Sequence, residues 1–320
     1  MSVASVVFDQ LFAPLKSNEQ LIEAIGKVTG EPRHIVIDRL LSEHRAIGFN
    51  VRQDALAASL VPYIWSDELT EFYRTTRSFI YETAVWNRSP LKCGMRSWIG
   101  SFLRKHGLTS GLRVLTYGDG LGFDSTFLAS LGCRVTYFEP SEECSRFAAD
   151  VFAANQVEIE HVADPKQLGR ESFDVIVCLD VLEHVPAPPT TVRQFSEWLK
   201  PEGYLITHSP FFYIEPYHPT HLKTNMKYSG CDRMFRENGL KLADGKFFWD
   251  PIVLQKCDGT PTKRNRTAVE AGRWLLRLGR WHPNIHSWIA RKLSRSEKCW
   301  IHDLESLCSP SSETCSIQEA

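Results

Sequence analysis

Two groups of residues in this sequence could carry chemistry. One is a run with glycine at alternate positions, Tyr117-Gly118-Asp119-Gly120-Leu121-Gly122, which follows the apolar Val114-Leu115-Thr116. Glycine there admits a left-handed backbone and lets a ligand approach the main chain without meeting a Cβ. A tight strand-to-helix turn can need the same residues for structure alone. The other group is the histidines His184, His208, His218 and His221, with Asp180 nearby. An imidazole titrates near ~6.5, so it can take up or release a proton at neutral pH.

The elements that must position these residues alternate in type. Leu112–Tyr117, Arg134–Phe138, Val157–His161, Phe173–Leu179 and Tyr204–His208 are short and strand-like, and segments of helical length separate them. This alternation predicts βαβ units and a mostly parallel sheet covered on both faces. Gly239–Trp249 and Ile252–Lys256, joined by Asp250-Pro251, predict an antiparallel pair at one end of the sheet. Ligands of such sheets bind beyond the carboxyl ends of the strands. The glycine turn, Glu139 after the second strand, Asp164 after the third, Asp180 after the fourth and His208 in the fifth therefore share one rim. An acid about twenty residues past a glycine turn accepts hydrogen bonds from ribose hydroxyls in dinucleotide-type folds.

Upstream, Asn18–Arg45 places Leu21, Ile22, Ile25, Val28, Leu40 and Leu41 near one helical face. Ser66 is a candidate N-cap for a second helical run whose buried stripe is Leu69, Phe72, Tyr73, Phe79 and Ile80. The chain thus divides into a helical lead-in domain over 1–95, acting as a lid or in dimerisation, an α/β core over 96–258, and a basic helical tail over 259–320. In the tail, Leu275, Leu278, Trp281, Ile285, Trp288 and Ile289 approximate one helical face, and Pro283 divides the stretch.

The order of motifs adds a resemblance. The glycine turn, Glu139, the strand Phe173-Asp174-Val175-Ile176-Val177, the tail Leu182-Glu183-His184-Val185 and the turn Leu199-Lys200-Pro201-Glu202-Gly203 follow one another as in the class I S-adenosylmethionine-dependent methyltransferases. The chain resembles that family over roughly residues 80–257. The resemblance implies a Rossmann-like seven-stranded sheet with an antiparallel last strand, an enzyme of the methyltransferase class, and S-adenosyl-L-methionine as cofactor. It further implies that Tyr117, Gly118, Asp119, Gly120 and Gly122 cradle the methionine and ribose moieties, and that Glu139, followed by Pro140, holds the ribose diol. Asp164 would contact the adenine amine, and Asp180 with Val181 would face the methionine end. One position departs from the family: Thr116 stands where an acid usually precedes the first glycine, so Asp119 or another acid would have to compensate.

Methyl transfer is an in-line displacement, so the acceptor must be held in line, kept from water and often deprotonated. His184, His208, His218 and His221 are the candidates for acceptor positioning or deprotonation, although His184 could equally orient its loop and His218 and His221 could brace theirs. Phe211, Phe212, Tyr213 and Tyr217, with Phe247, Phe248 and Trp249, could line an apolar acceptor pocket or simply be core. Tyr81 and Trp86, ahead of the sheet, are candidate lid residues. No metal centre is expected, since the spacing of Glu215, His218, His221 and Asp180 is not diagnostic. Asp180-Val181-Leu182 is not an Asn/Asp-Pro-Pro-Tyr clamp, and no Pro-Cys dipeptide is present, which argues against base-type amino methylation and C5-cytosine chemistry. The remaining class is a small metabolite with an oxygen or nitrogen nucleophile, as in secondary metabolism.

Composition agrees with a soluble enzyme. The chain has 320 residues with 43% hydrophobic and 23% charged, and its net charge of -1 lacks the basic footprint of most nucleic-acid binders. No apolar run approaches the ~20 residues that span a bilayer. Nine cysteines, an odd number without Cys-x-x-Cys, predict reduced thiols and a cytoplasmic location. The expected partner is a small-molecule acceptor, without nucleic acid. Peripheral membrane contact through the tail and a homodimer through the N-terminal helices stay open. The alternatives are a methyltransferase that docks RNA or protein through the tail, and a cofactor-fold protein without catalysis.

Overall fold

The computed structural model describes residues 10–108, 110–245, 251–261, 264–281, 288 and 298–308. The strand-like runs form β1 (Arg113–Tyr117), β2 (Arg134–Phe138), β3 (Glu160–Val162), β4 (Phe173–Leu179), β5 (Leu199–His208), β6 (Leu240–Gly245) and β7 (Ile252–Lys256). They make one seven-stranded sheet in the order β3-β2-β1-β4-β5-β7-β6. β1 to β5 run parallel, and β7 is antiparallel to both β5 and β6. Val175, Ile176, Val177 and Cys178 of β4 are all at most 3% exposed. Both faces of the central strand are covered, which is why its sequence is continuously apolar rather than alternating.

Two strands differ from the sequence expectation. β3 begins at Glu160 and is only three residues long, because Val157 and Ile159 instead pack beside the Tyr137, Ala148 and Phe152 cluster. β5 begins earlier, at Leu199, and takes in the turn residues Lys200 to Gly203. A register shift opposite Phe173 and Val175 absorbs that turn.

The N-terminal part is helical: α1 (Asn18–Thr29), α2 (Arg33–Arg45), α3 (Phe49–Ala57), α4 (Asp67–Thr75), α5 (Ser78–Asn87) and α6 (Pro90–Lys105). Gly30, left-handed at φ 69°, ends α1, so Asn18–Arg45 is two helices rather than one. Ser66 caps α4 as expected from its type, accepting the Leu69 N–H at 3.1 Å. Extended Thr76 ends α4 and moves Phe79 and Ile80 onto α5. The boundary expected at residue 95 falls inside α6.

After β1 come α7 (Phe123–Ser130), α8 (Glu142–Ala154), α9 (Pro188–Trp198), α10 (Arg233–Arg236), α11 (Arg266–Trp281) and α12 (Lys298–Cys308). Leu21, Ile25, Leu40 and Ile80 of the N-terminal helices share one buried cluster with Leu121 and Phe123 beside the glycine turn and Phe147 of α8. The helical layer therefore roofs the carboxyl end of the sheet. Trp300 and Leu304 of α12 complete the same cluster, and the Arg88 guanidinium lies 4.0 Å over the Trp300 ring. Part of the tail thus packs on the N-terminal layer, while Trp274 of α11 is exposed. Phe247, Phe248, Trp249, Pro283, Ile285, Ile289, the side chains of Leu275, Leu278 and Trp281, and residues 309–320 lie outside the described residues. No helix among the described residues is long and apolar enough to cross a membrane.

Candidate active site

β1 runs straight into the glycine turn, where Gly118, Gly120 and Gly122 have φ of +73°, +61° and +78°. A Cβ on Gly118 would lie 2.5 Å from Val181 Cγ2, so the close approach of the β1 and β4 ends itself demands glycine. The carboxylate of Glu139, at the tip of β2, accepts the N–H groups of Gly120 and Ser141, each at 2.9 Å. Burial pushes this carboxyl up to about 7, and the two N–H bonds pull the other way. The Tyr137 hydroxyl donates to the Gly120 carbonyl at 2.6 Å and braces the turn from below.

A pocket opens between this turn, α5 and the end of β4. Tyr117 to Gly120 form one wall, and Trp86, Lys92, Asp124 and Asp180 face them. Asp180 is the convergence point. It is left-handed at φ 60°, a conformation that is uncommon outside glycine and concentrates at functional sites. Trp86 Nε1 donates to its Oδ2 at 2.9 Å, Lys92 Nζ lies 3.5 Å from that oxygen, and His208 Nε2 lies 3.1 Å from Oδ1. Burial works against its ionisation, but His208 and Lys92 outweigh that and hold the carboxyl below the usual carboxylate range. Lys92 also pairs with Asp124 at 2.9 Å, and Arg96 Nε takes the other Asp124 oxygen at 2.7 Å.

Asp119, on the pocket wall, is engaged by the start of α7. Its carboxylate accepts the N–H groups of Asp124 and Ser125 and the Ser125 hydroxyl, which caps the start of α7. Burial pushes it up to about 7. The Thr116 hydroxyl meets the Ser125 hydroxyl at 2.7 Å, and Asp124 is the acid on the pocket wall that neither spacing nor motif singled out. Asp164 accepts the Lys166 N–H at 2.9 Å and caps a short turn. It, Glu139, Pro140, Gly122 and Val181 are not on the pocket wall.

The histidines separate into two places. His208 joins Asp180. His184, His218 and His221 gather beside it, with ring centroids 4.5 Å apart for His184 and His221 and 5.1 Å for His218 and His221. Burial lowers His184 to about 4 and His218 to about 3, so these two rings are neutral at pH 7. Tyr213 packs 4.8 Å from His218, and Phe212 packs against Tyr213 at 6.5 Å. Three aromatic candidates lie elsewhere. Tyr81 is wholly buried and donates to Glu31, because the helical layer closes over it. Phe211 belongs to the core under α9, and Tyr217 is exposed beneath the Arg52 guanidinium at 5.1 Å. Trp86 is the lid candidate that reaches the pocket.

Residues 88–243 match a family model described as a methyltransferase domain. The ubiquinone biosynthesis O-methyltransferase of Xanthomonas oryzae pv. oryzae is 35% identical over 100 residues, covering 30% of this chain and 42% of that protein. The protein of the same name from Bordetella pertussis is 33% identical over 121 residues, covering 37% and 48%. The chain thus spans less than half the length of these curated relatives. Among solved structures, magnesium protoporphyrin IX methyltransferase from Synechocystis, with bound S-adenosylmethionine, aligns with 19% identity and a TM-score of 0.39 over 57% of this chain and 84% of that one. The match takes in just under half of the chain, and residues 88–243 are thus similar to a methyltransferase domain.

Proposed function

We propose that the protein transfers a methyl group from S-adenosylmethionine to an oxygen nucleophile on a small aromatic metabolite. The observation that carries this reading is the convergence of Trp86, Lys92 and His208 on Asp180 at the pocket edge. The pocket suits the cofactor. Its wall includes the backbone of Gly118 and Gly120, Glu139 beside the turn would offer a carboxylate to a diol, and Lys92 would offer a cation to a carboxylate. When bound, S-adenosylmethionine supplies a methyl group activated on a sulfonium.

The chain's own residues would do the rest. Glu139 accepts hydrogen bonds from the ribose end, and the helical layer with Trp86 excludes water from the other side. Asp180 orients the His208 ring, which takes the proton of the acceptor hydroxyl as the new O–C bond forms. Phe212 and Tyr213 stand on the loop after β5, where an aromatic acceptor would lie. The relatives named ubiquinone biosynthesis O-methyltransferases support an oxygen acceptor.

The test is incubation with methyl-labelled S-adenosylmethionine and a panel of hydroxylated aromatics, read by mass spectrometry. Label in a phenolic product, lost in His208→Asn, is the expected result. A protein that binds the cofactor yet labels no member of the panel contradicts the acceptor class.

A further inference from the structure

We infer that the chain carries a buried site for a divalent transition-metal ion of the zinc class, formed by Glu183, His184 and His221. One ligand atom from each of these residues lies within 4.8 Å of the others. In a tetrahedral zinc site with bonds of about 2.1 Å two ligand atoms sit about 3.4 Å apart, so side-chain rotations must close the widest pair by up to about 1.4 Å. Glu183 is 1% exposed, and neither of its carboxylate oxygens has a hydrogen-bond partner. His184 Nε2, on a ring that burial keeps neutral, lies 3.9 Å from Oε1. A carboxylate buried in this way is costly unless it is paired or coordinates a metal.

Both imidazoles are set up as ligands by their other nitrogen. His184 Nδ1 lies 2.8 Å from the Tyr73 hydroxyl and 3.3 Å from the Thr220 carbonyl. The Tyr73 hydroxyl itself donates to that carbonyl at 3.4 Å. In the tautomer in which Nδ1 donates to these oxygens, Nε2 presents its lone pair toward Glu183. His221 is held the opposite way round. Its ring is hydrogen-bonded to the Tyr213 backbone, while Nδ1 is buried without a partner. Such outer bonds, which fix tautomer and ring angle, accompany metal-bound histidines.

The donor set selects the ion. One carboxylate and two imidazoles fit Zn²⁺ and its first-row neighbours, whereas Mg²⁺ and Ca²⁺ prefer all-oxygen sites. His218, whose Nδ1 is also buried and unpartnered, stands beside His221 but outside the set of three. The site joins two segments, because Glu183 and His184 follow β4 while His221 ends the loop after β5. The Leu222 N–H to Glu183 carbonyl bond, 3.0 Å, already zips them together. The ion would fix this loop, and with it Tyr213, over the edge of the pocket. Glu215, which spacing had grouped with these histidines, is not in the cluster.

The test is titration of the full-length, metal-stripped protein with Co²⁺, read by its visible absorption, with Zn²⁺ competition and metal analysis after dialysis. One equivalent bound per chain and displaced by Zn²⁺ is expected. Glu183→Gln and His221→Asn should abolish it while keeping the circular dichroism of the wild type. Tyr73→Phe should weaken it by about 10-fold, a change that a purely structural cluster would not show. Absence of stoichiometric binding by the folded wild type would overturn the site and leave Glu183 a buried neutral acid. Binding that survives both ligand substitutions would overturn it as well. If a ligand variant misfolds, Tyr73→Phe and the wild-type stoichiometry decide.

Discussion

Asp180 and His208 are joined twice. The Asp180 N–H donates to the His208 carbonyl at 2.9 Å, and its Oδ1 lies 3.1 Å from His208 Nε2. The backbone bond continues the parallel pairing of β4 and β5, so the sheet itself sets the angle at which carboxylate meets imidazole. On the proposed function, this pair would be the fixed proton acceptor.

Asp180→Asn keeps the size of the side chain and one acceptor for Trp86 but removes the charge facing His208. Lys92 keeps its partner in Asp124, so the fold should survive. The expected outcome is a fall in kcat of about 10²–10⁴-fold, the usual contribution of a positioned acid–base group, with cofactor affinity changed only a few-fold. Single-turnover methyl transfer and calorimetry on the same preparation separate the two. Unchanged kcat would remove Asp180 from the proton path.

Cofactor affinity should rise with pH through neutrality. Burial sets the Glu139 carboxyl at about 7 in the free protein, and ribose hydroxyls donate best to its ionised form. Between pH 6 and pH 8 the affinity should therefore increase about tenfold, and Glu139→Gln should flatten the profile. Stability responds in the opposite sense. The folded value lies above the unfolded one, so the stabilising contribution is complete below the unfolded value of about 4.3 and is lost as pH rises through 7. Calorimetric titrations of S-adenosylhomocysteine at several pH values check the first statement, and thermal melts check the second.

Leu304→Ala should destabilise the whole chain rather than only the tail. Leu304 is fully buried in the cluster that also holds Leu21, Ile25 and Leu40. Truncating such a leucine costs about 2–5 kcal/mol. The melt should stay a single transition with a lower midpoint. An unchanged midpoint would mean that α12 does not hold the N-terminal layer.

The sheet was legible because its signal is dense. Phe173-Asp174-Val175-Ile176-Val177-Cys178-Leu179 is apolar on both faces, and glycines at alternate positions followed by Glu139 mark the turn and the next strand tip. β3 was misplaced because Val157 and Ile159, strand-like by type, are drawn into the Tyr137 cluster instead. The site was less legible where charge is buried. Lys92 and Arg96, four apart on α6, read as an ordinary solvated helix face, yet Arg96 is 1% and Lys92 4% exposed. Nothing local to the sequence reveals that Asp124, thirty positions on, neutralises them. Tyr81 and Trp86 sit five apart on one helix, and only the packing of α5 decides which ring meets the pocket and which meets Glu31. Glu183 was hidden in a familiar tetrapeptide, since its isolation from hydrogen-bond partners is a property of the fold alone.

The central claim is that the pocket lined by the glycine turn and Asp180, with Glu139 bonded to the Gly120 N–H beside it, holds S-adenosylmethionine. Calorimetric titration of that cofactor into the wild type and Glu139→Ala tests it most directly. The account predicts micromolar binding by the wild type and a loss of about 1–3 kcal/mol in the variant, the worth of a hydrogen-bonded charged partner. No binding by the wild type at millimolar cofactor, or equal affinity in the two proteins, would contradict it.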